Sequence, residues 1–126
     1  MTGRQLVSVV DDDPSLRQSV KNLLSSVGIE VATFASAEAF LVSGELNDTG
    51  CLVVDFRLEG MSGLELIVRL SAGDRQIPIV MLTALGDPEV RQRCIAAGAQ
   101  AFLTKPFRAY DLVDAVRTGL AKVSLP

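Results

Sequence analysis

The chain contains no histidine. That excludes histidine-based acid–base catalysis, Ser–His and Cys–His nucleophile pairs, and His-ligated zinc. Cysteine is scarce: Cys51 and Cys94 are the two present, and they form no CxxC pair. One precedes an apolar strand pattern and the other lies in a helical one, so both read as buried reduced thiols. The net charge of −3 supplies no basic footprint for direct nucleic-acid binding. No apolar run approaches the roughly 20 residues of a membrane span. The start, Met1 to Gln5, lacks the long apolar stretch of a signal peptide, so a cytoplasmic location is the expectation.

What is present suits one compact domain. The chain has 126 residues, and 48% of them are hydrophobic, enough for a real core without staples. Leu6–Val10 (LVSVV) has the near-continuous apolar character of a buried parallel strand. Asp13 followed by Pro14 marks a helix N-cap and first turn. Leu16, Val20, Leu23, Leu24 and Val27 continue at helical spacing to a stop at Gly28. Ile29–Phe34 reads as a second strand. Ser36 caps a short helix through Ala37–Val42, with Glu38 in its first turn. Asn47–Gly50 reads as a turn and Cys51–Asp55 (CLVVD) as the third strand. Ser62 and Glu65 form a capping box ahead of the next helix. Ile77–Leu82 is the fourth strand, Asp87-Pro88 opens a helix that ends at Gly98, and Ala101–Leu103 is a short fifth strand. A last helix spans Tyr110–Val123. Five βα units in alternation predict an α/β doubly wound parallel sheet, with no internal repeat or linker.

Ligands of such sheets bind beyond the carboxyl ends of the strands. Strand one ends in Asp11 and Asp12, strand three in Asp55, strand four in Thr83, and strand five near Lys105-Pro106. Each has an ordinary reading alone. Asp11–Asp13 could be a polar loop with a cap, a strand-ending Asp is commonplace, Lys-Pro is usually a turn, and Thr83 a capping threonine. Their joint placement along one edge of the sheet is the specific signal. Three crowded carboxylates repel one another, and folding alone gives no reason to gather them. A hard divalent cation removes the penalty, and carboxylate, carbonyl and water ligands suit Mg²⁺. Thr83 and Lys105 then make sense as a hydroxyl donor and a point charge facing phosphoryl oxygens. A carboxylate can serve as the nucleophile and form an acyl phosphate.

The segments VVDDDP, VVDFRLEGMSGLEL, MLTA and FLTKPF, in this order and at these intervals, resemble the receiver domains of two-component response regulators. The resemblance covers essentially the whole chain, and SAEAFL and GMSGLEL are similar to receivers of the FixJ type. It implies a flavodoxin-like five-stranded sheet of order 2-1-3-4-5 with five helices. It implies Asp55 as phosphoacceptor, supplied by a sensor histidine kinase or a small phosphodonor. With no histidine here, a phosphohistidine donor is another protein. The resemblance further implies Asp12, Asp55 and the backbone carbonyl of Arg57 as Mg²⁺ ligands, with Asp11 acting mainly through water. Thr83 and Lys105 match the phosphate-contacting pair, Phe102 the aromatic switch position, and the Lys105–Pro106 bond is expected to be cis. The implied behaviour is a switch with self-catalysed phosphotransfer and autodephosphorylation, controlling an output domain or partner in transcription regulation, with a homodimer formed on phosphorylation. One departure stands out. Glu59 occupies a position where the family often has proline, adding negative charge and loosening the loop after Asp55.

Two rivals share parts of this pattern. A haloacid dehalogenase-type phosphatase also forms an aspartyl phosphate, but needs Asp and Thr where Arg57 and Glu59 stand. A flavodoxin-like electron carrier needs a first loop that cradles phosphate, and Asp11-Asp12-Asp13-Pro14 would repel one. The final helix is followed only by Ser124, Leu125 and Pro126, so residues 1–126 read as a single receiver domain with no output domain within this chain. A stand-alone receiver and the first piece of a longer regulator both fit.

Overall fold

The computed structural model describes residues 5–73, 76–84 and 86–124. Strand β1, Leu6–Val10, has all five residues buried. A strand with no exposed face has to be covered by helices on both sides. The following elements supply that cover: α1 (Pro14–Ser26), β2 (Glu30–Phe34), α2 (Ala37–Leu41), a 3₁₀ turn (Leu46–Asp48), β3 (Thr49–Asp55), α3 (Gly63–Ser71), β4 (Ile79–Thr83), α4 (Pro88–Ala97), β5 (Ala101–Thr104) and α5 (Ala109–Ser124). The strands form one parallel sheet in the order β2-β1-β3-β4-β5. The fold class, the strand order and the five helices agree with the expectation.

Residue parity along the strands sorts the core into two halves. Val7, Val9, Val53, Val80 and Leu82 pack with Val20 and Leu24 of α1 and Leu112 and Val116 of α5. Val10, Leu52, Val54 and Met81 pack on the other face with Phe40 of α2, Leu66 and Ile67 of α3 and Cys94 of α4. Helix α2 has only five residues, too few to persist alone. Burial of Phe40, worth about 1.5–3 kcal/mol, and the cap from Ser36 Oγ to Ala39 N–H (3.0 Å) hold it in place.

Helix starts follow the sequence closely. Asp13 caps α1, accepting from Ser15 N–H at 2.9 Å; Asp87 caps α4, accepting from Glu89 N–H at 2.9 Å; and the Ser62–Glu65 capping box opens α3. Gly28 and Gly98 both end helices with positive φ. Cys51 and Cys94 are buried free thiols, as expected.

Strand boundaries differ. Thr49 and Gly50, expected in a turn, belong to β3, because Leu6 pairs with Thr49 and Val7 with Cys51, leaving Gly50 as an extra residue in the ladder. Strand β4 begins at Ile79 rather than Ile77, since Pro78 has no N–H to donate, and it runs on to Thr83. Strand β5 extends to Thr104. The order reverses between β1 and β3: the chain goes outward to β2, then crosses to the other side of β1. That switch point lies beside Asp11, Asp12 and Asp55.

Candidate functional site

Each carboxylate of the site is placed by local backbone geometry. Asp11 N–H donates to Phe34 O at 3.1 Å, extending the β1–β2 pairing past the end of β1. Its Oδ1 then accepts Asp13 N–H at 2.9 Å, so the same turn that caps α1 aims Asp11 inward. Asp55 ends β3, and the next residue continues the ladder through Phe56 N–H to Leu82 O at 2.8 Å. Asp55 Oδ1 accepts Arg57 N–H at 3.2 Å. Gly63 N–H closes the loop onto Phe56 O at 3.2 Å, and any Cβ at Gly63 would collide with the Asp55 carbonyl.

Carboxylate oxygens of Asp11, Asp12 and Asp55 all lie within 4.8 Å of one another. Asp11 is fully buried, Asp55 is 8% exposed, and Asp12 faces solvent. Lys105 reaches in from beyond β5. Its ammonium donates to Asp55 Oδ2 at 3.0 Å and to Asp11 Oδ2 at 3.1 Å. Its backbone N–H donates to Thr83 O at 2.7 Å, and the Lys105–Pro106 bond is cis, as expected. Thr83 is buried at the end of β4, one register step beyond the Asp55–Leu82 pair.

The electrostatics are asymmetric. Burial pushes the Asp11 carboxyl above its usual range, and the nearby charge of Asp55 adds to this, outweighing the pull of Asp13 N–H and Lys105. Burial also opposes the charged form of Lys105, but its hydrogen bonds to Asp55 and Asp11 and their charges prevail, so its pKa lies above the ordinary value. Lys105 is thus the satisfied partner and Asp11 the strained one. One ammonium against three carboxylates leaves the cluster negative when all are ionised. An all-oxygen donor set with residual negative charge fits a hard divalent cation.

The structure therefore brings Asp11, Asp12, Asp55 and Lys105 together, with Thr83 at the adjoining strand end and Arg57 tied to Asp55 through its N–H. Phe102 lies on β5 opposite Met81, half-buried against the α2–α4 side of the core. Two contacts were not foreseen from the sequence. Arg17 of α1 donates Nη1–H to Asp11 O at 2.7 Å. Glu38 of α2 accepts Met61 N–H at 2.9 Å, across 23 residues of sequence. That hydrogen bond, helped by the Arg69 charge, holds the Glu38 carboxyl below its usual range. Glu38 carried only the signal of a first-turn acid, and nothing local marks so distant a contact.

Residues 7–117 match the family model described as the response regulator receiver domain. Nodulation protein W of Bradyrhizobium diazoefficiens is 45% identical over 113 residues, covering 90% of this chain and 50% of that protein. The transcriptional regulatory protein FixJ of Azorhizobium caulinodans is 40% identical over 116 residues, covering 92% of this chain and 55% of that protein. Among solved structures, the response regulator StyR superposes with a TM-score of 0.89 at 46% identity, covering 97% of this chain and 62% of that one. The chain thus spans about half the length of these curated relatives.

Proposed function

Because the chain belongs to the response regulator receiver domain family, whose members are phosphoacceptor switches of two-component signalling, we propose that Asp55 is the residue that takes the phosphoryl group. The observation that carries this reading is the convergence of Asp11, Asp12 and Asp55 within 4.8 Å, with the Lys105 ammonium bridging Asp11 and Asp55. Asp55 is the member at the centre of the sheet edge, between the acidic pair after β1 and the Thr83/Lys105 pair beyond β4 and β5. Family membership also sets aside the phosphatase and flavin-carrier readings.

A carboxylate oxygen of Asp55 attacks phosphorus in the donor, a kinase phosphohistidine or a small acyl phosphate. The new O–P bond forms as the bond from phosphorus to the donor breaks, and that electron pair leaves with the donor. Lys105, already in contact with Asp55, turns its ammonium toward the arriving phosphoryl oxygens, and the Thr83 hydroxyl donates to another. Asp12, Asp55 and the Arg57 carbonyl would hold Mg²⁺, with Asp11 acting mainly through water. When bound, the ion neutralises charge on the transferring group. Water attack at phosphorus then breaks the bond to the Asp55 oxygen, releasing inorganic phosphate and the free carboxylate, which is the autodephosphorylation of the switch.

The partners in this reading are a sensor histidine kinase and, after phosphorylation, a second copy of the chain. Residues 1–126 act as a single receiver in the cytoplasm, and the output in transcription lies in a further domain or partner. The net charge of −3 supports a domain that does not itself contact nucleic acid. Among the described residues no helix is long and apolar enough to cross a membrane. The test is intact-mass analysis after incubation with acetyl phosphate and Mg²⁺. Wild type gains one phosphoryl group and Asp55→Asn gains none. Equal labelling of both proteins overturns the assignment.

A further inference from the structure

The loop between β3 and α3 runs from Phe56 to Ser62 and contains Arg57. Its base is closed by Gly63 N–H to Phe56 O and its first residues by Arg57 N–H to Asp55 Oδ1. Its far end is held by a residue of another element. Glu38 Oε2 accepts Met61 N–H at 2.9 Å. The same oxygen lies where a Cβ at Gly60 would come within 2.5 Å of it, and Gly60 has φ +76. Glycine at position 60 is favoured by its left-handed backbone, and a Cβ there would push the Glu38 carboxylate from its place. Glu59, just before it, has none of the backbone restriction that a proline would bring.

Glu38 itself is well supported. Its helix is anchored by Phe40 in the core and capped by Ser36, so the carboxylate projects from a fixed base. An acid in the first turn of a helix is ordinarily explained by the helix dipole. That explanation requires charge at this place but no particular length. The bond to Met61 requires length.

Building on the reading of Asp55 and the Arg57 carbonyl as ion-holding groups, we infer that Glu38 is a positioning residue for phosphoryl transfer: its carboxylate clamps the Gly60–Met61 peptide and so keeps the Asp55–Arg57 backbone set for the metal. The loop has its own closure at Phe56–Gly63, and Leu58 and Met61 pack against the core, but the Glu38 carboxylate is what holds the Met61 backbone N–H. Releasing Met61 lets the loop sample more conformations, and the ion has to order it again on binding.

Two variants separate reach from charge. Glu38→Asp keeps the charge near the start of α2 but is one methylene too short to reach Met61. Glu38→Gln loses the charge but retains an oxygen acceptor at the same length. Mg²⁺ affinity is read by calorimetry, the phosphorylation rate with acetyl phosphate, and exchange of the Met61 amide by NMR, with Asp12→Asn as the control for the metal site. Glu38→Asp should bind Mg²⁺ roughly three- to tenfold more weakly, from the loss of one hydrogen bond. It should be phosphorylated more slowly, exchange the Met61 amide faster and melt near wild type. Glu38→Gln should stay close to wild type in all four. If Glu38→Asp matches wild type while Asp12→Asn weakens Mg²⁺ binding, the clamp is wrong and the metal reading stands. If Glu38→Gln is as impaired as Glu38→Asp, charge rather than reach is what matters, and the clamp is again wrong. If Asp12→Asn leaves Mg²⁺ binding intact, the metal reading falls and the clamp with it.

Discussion

Lys105 Nζ donates to Asp55 Oδ2 at 3.0 Å, joining the end of β3 to the loop beyond β5 across 50 residues of sequence. The ammonium is shared with Asp11, so one side chain offsets two carboxylates, one of them fully buried. Removing it leaves both without their cation, each keeping a single backbone N–H at Oδ1. Lys105→Met should lower stability in the absence of metal by roughly 1–3 kcal/mol, less than a fully buried pair would cost because the Lys105 side chain keeps some solvent contact. Adding Asp11→Asn should recover part of the loss, since the remaining Asp55 then faces one fewer like charge. Urea unfolding of the single and double variants measures both. A Lys105→Met protein as stable as wild type contradicts the assigned role of the ammonium.

Asp12 differs from its neighbours because it is exposed and receives no bond from Lys105 among the contacts described. It remains within 4.8 Å of Asp11 and Asp55 at the oxygen level. Asp12→Asn should weaken Mg²⁺ binding by on the order of tenfold or more, because one anionic oxygen donor is lost. The same change should raise the melting temperature of the metal-free protein slightly, through relief of like-charge repulsion. Calorimetric titration and thermal melts without added metal test the two halves separately. A lower melting temperature for metal-free Asp12→Asn shows that the cluster is not strained.

Much of this arrangement was legible in the sequence, for a specific reason. Asp11, Asp55 and Thr83 each end an apolar run, and a parallel sheet brings all such ends to one edge. Capping is also local, so Asp13, Ser62 and Asp87 could be read directly. The start of β3 could not. Thr49 and Gly50 have turn chemistry, and only pairing with β1, with its extra residue at Gly50, makes them strand. The Glu38–Met61 bond was invisible for a related reason: it depends on how α2 sits over the sheet, which the five residues of that helix do not encode. The hold of Arg17 on Asp11 O likewise needed the three-dimensional turn of α1 against β1.

Cys51 offers a prediction in pH. Burial alone pushes its thiol up to about 12, against about 8.5 in an unfolded chain. The neutral thiol is favoured in the folded protein, so this contribution to stability is fully present below the unfolded value. As pH rises above about 8.5 the unfolded chain ionises first, and stability falls, by at most about 1.4 kcal/mol per pH unit from this group. Cys51→Ala removes the effect while leaving the other titrating groups in place. Unfolding free energies of the two proteins should therefore converge as pH rises from neutrality toward about 10. Parallel curves rule out a buried protonated thiol at this position.

If Asp55 is the acceptor, as proposed, Thr83 and Phe102 are placed to carry its phosphorylation to the outer face of the sheet. In the β4–β5 ladder Thr83 pairs with Thr104 and Met81 with Phe102. Parity then places Thr83, Thr104 and Phe102 on the same face, with Phe102 half-buried against the α2–α4 side of the core. Phosphorylation of Asp55 adds charge and strong acceptor oxygens beside the end of β4. A Thr83 hydroxyl that moves to donate to one of them vacates space along the β4–β5 edge, and Phe102 is the large side chain placed to follow it. Phenylalanine has no hydroxyl to desolvate, so a more buried position costs it less than it would cost tyrosine. The phosphoryl group can shift this balance only through a contact that differs between the two states, and the bond to Thr83 is that contact. Thr83→Ala should therefore accept a phosphoryl group at Asp55 yet respond to it weakly, with well under half the wild-type displacement of signals around Phe102. Beryllofluoride, which stands in for the phosphoryl group, provides a stable activated form for the comparison by NMR. Wild-type-like shifts at Phe102 in Thr83→Ala would mean that the signal leaves the acceptor site by another route, with the Lys105 N–H bond to Thr83 O as the next place to look.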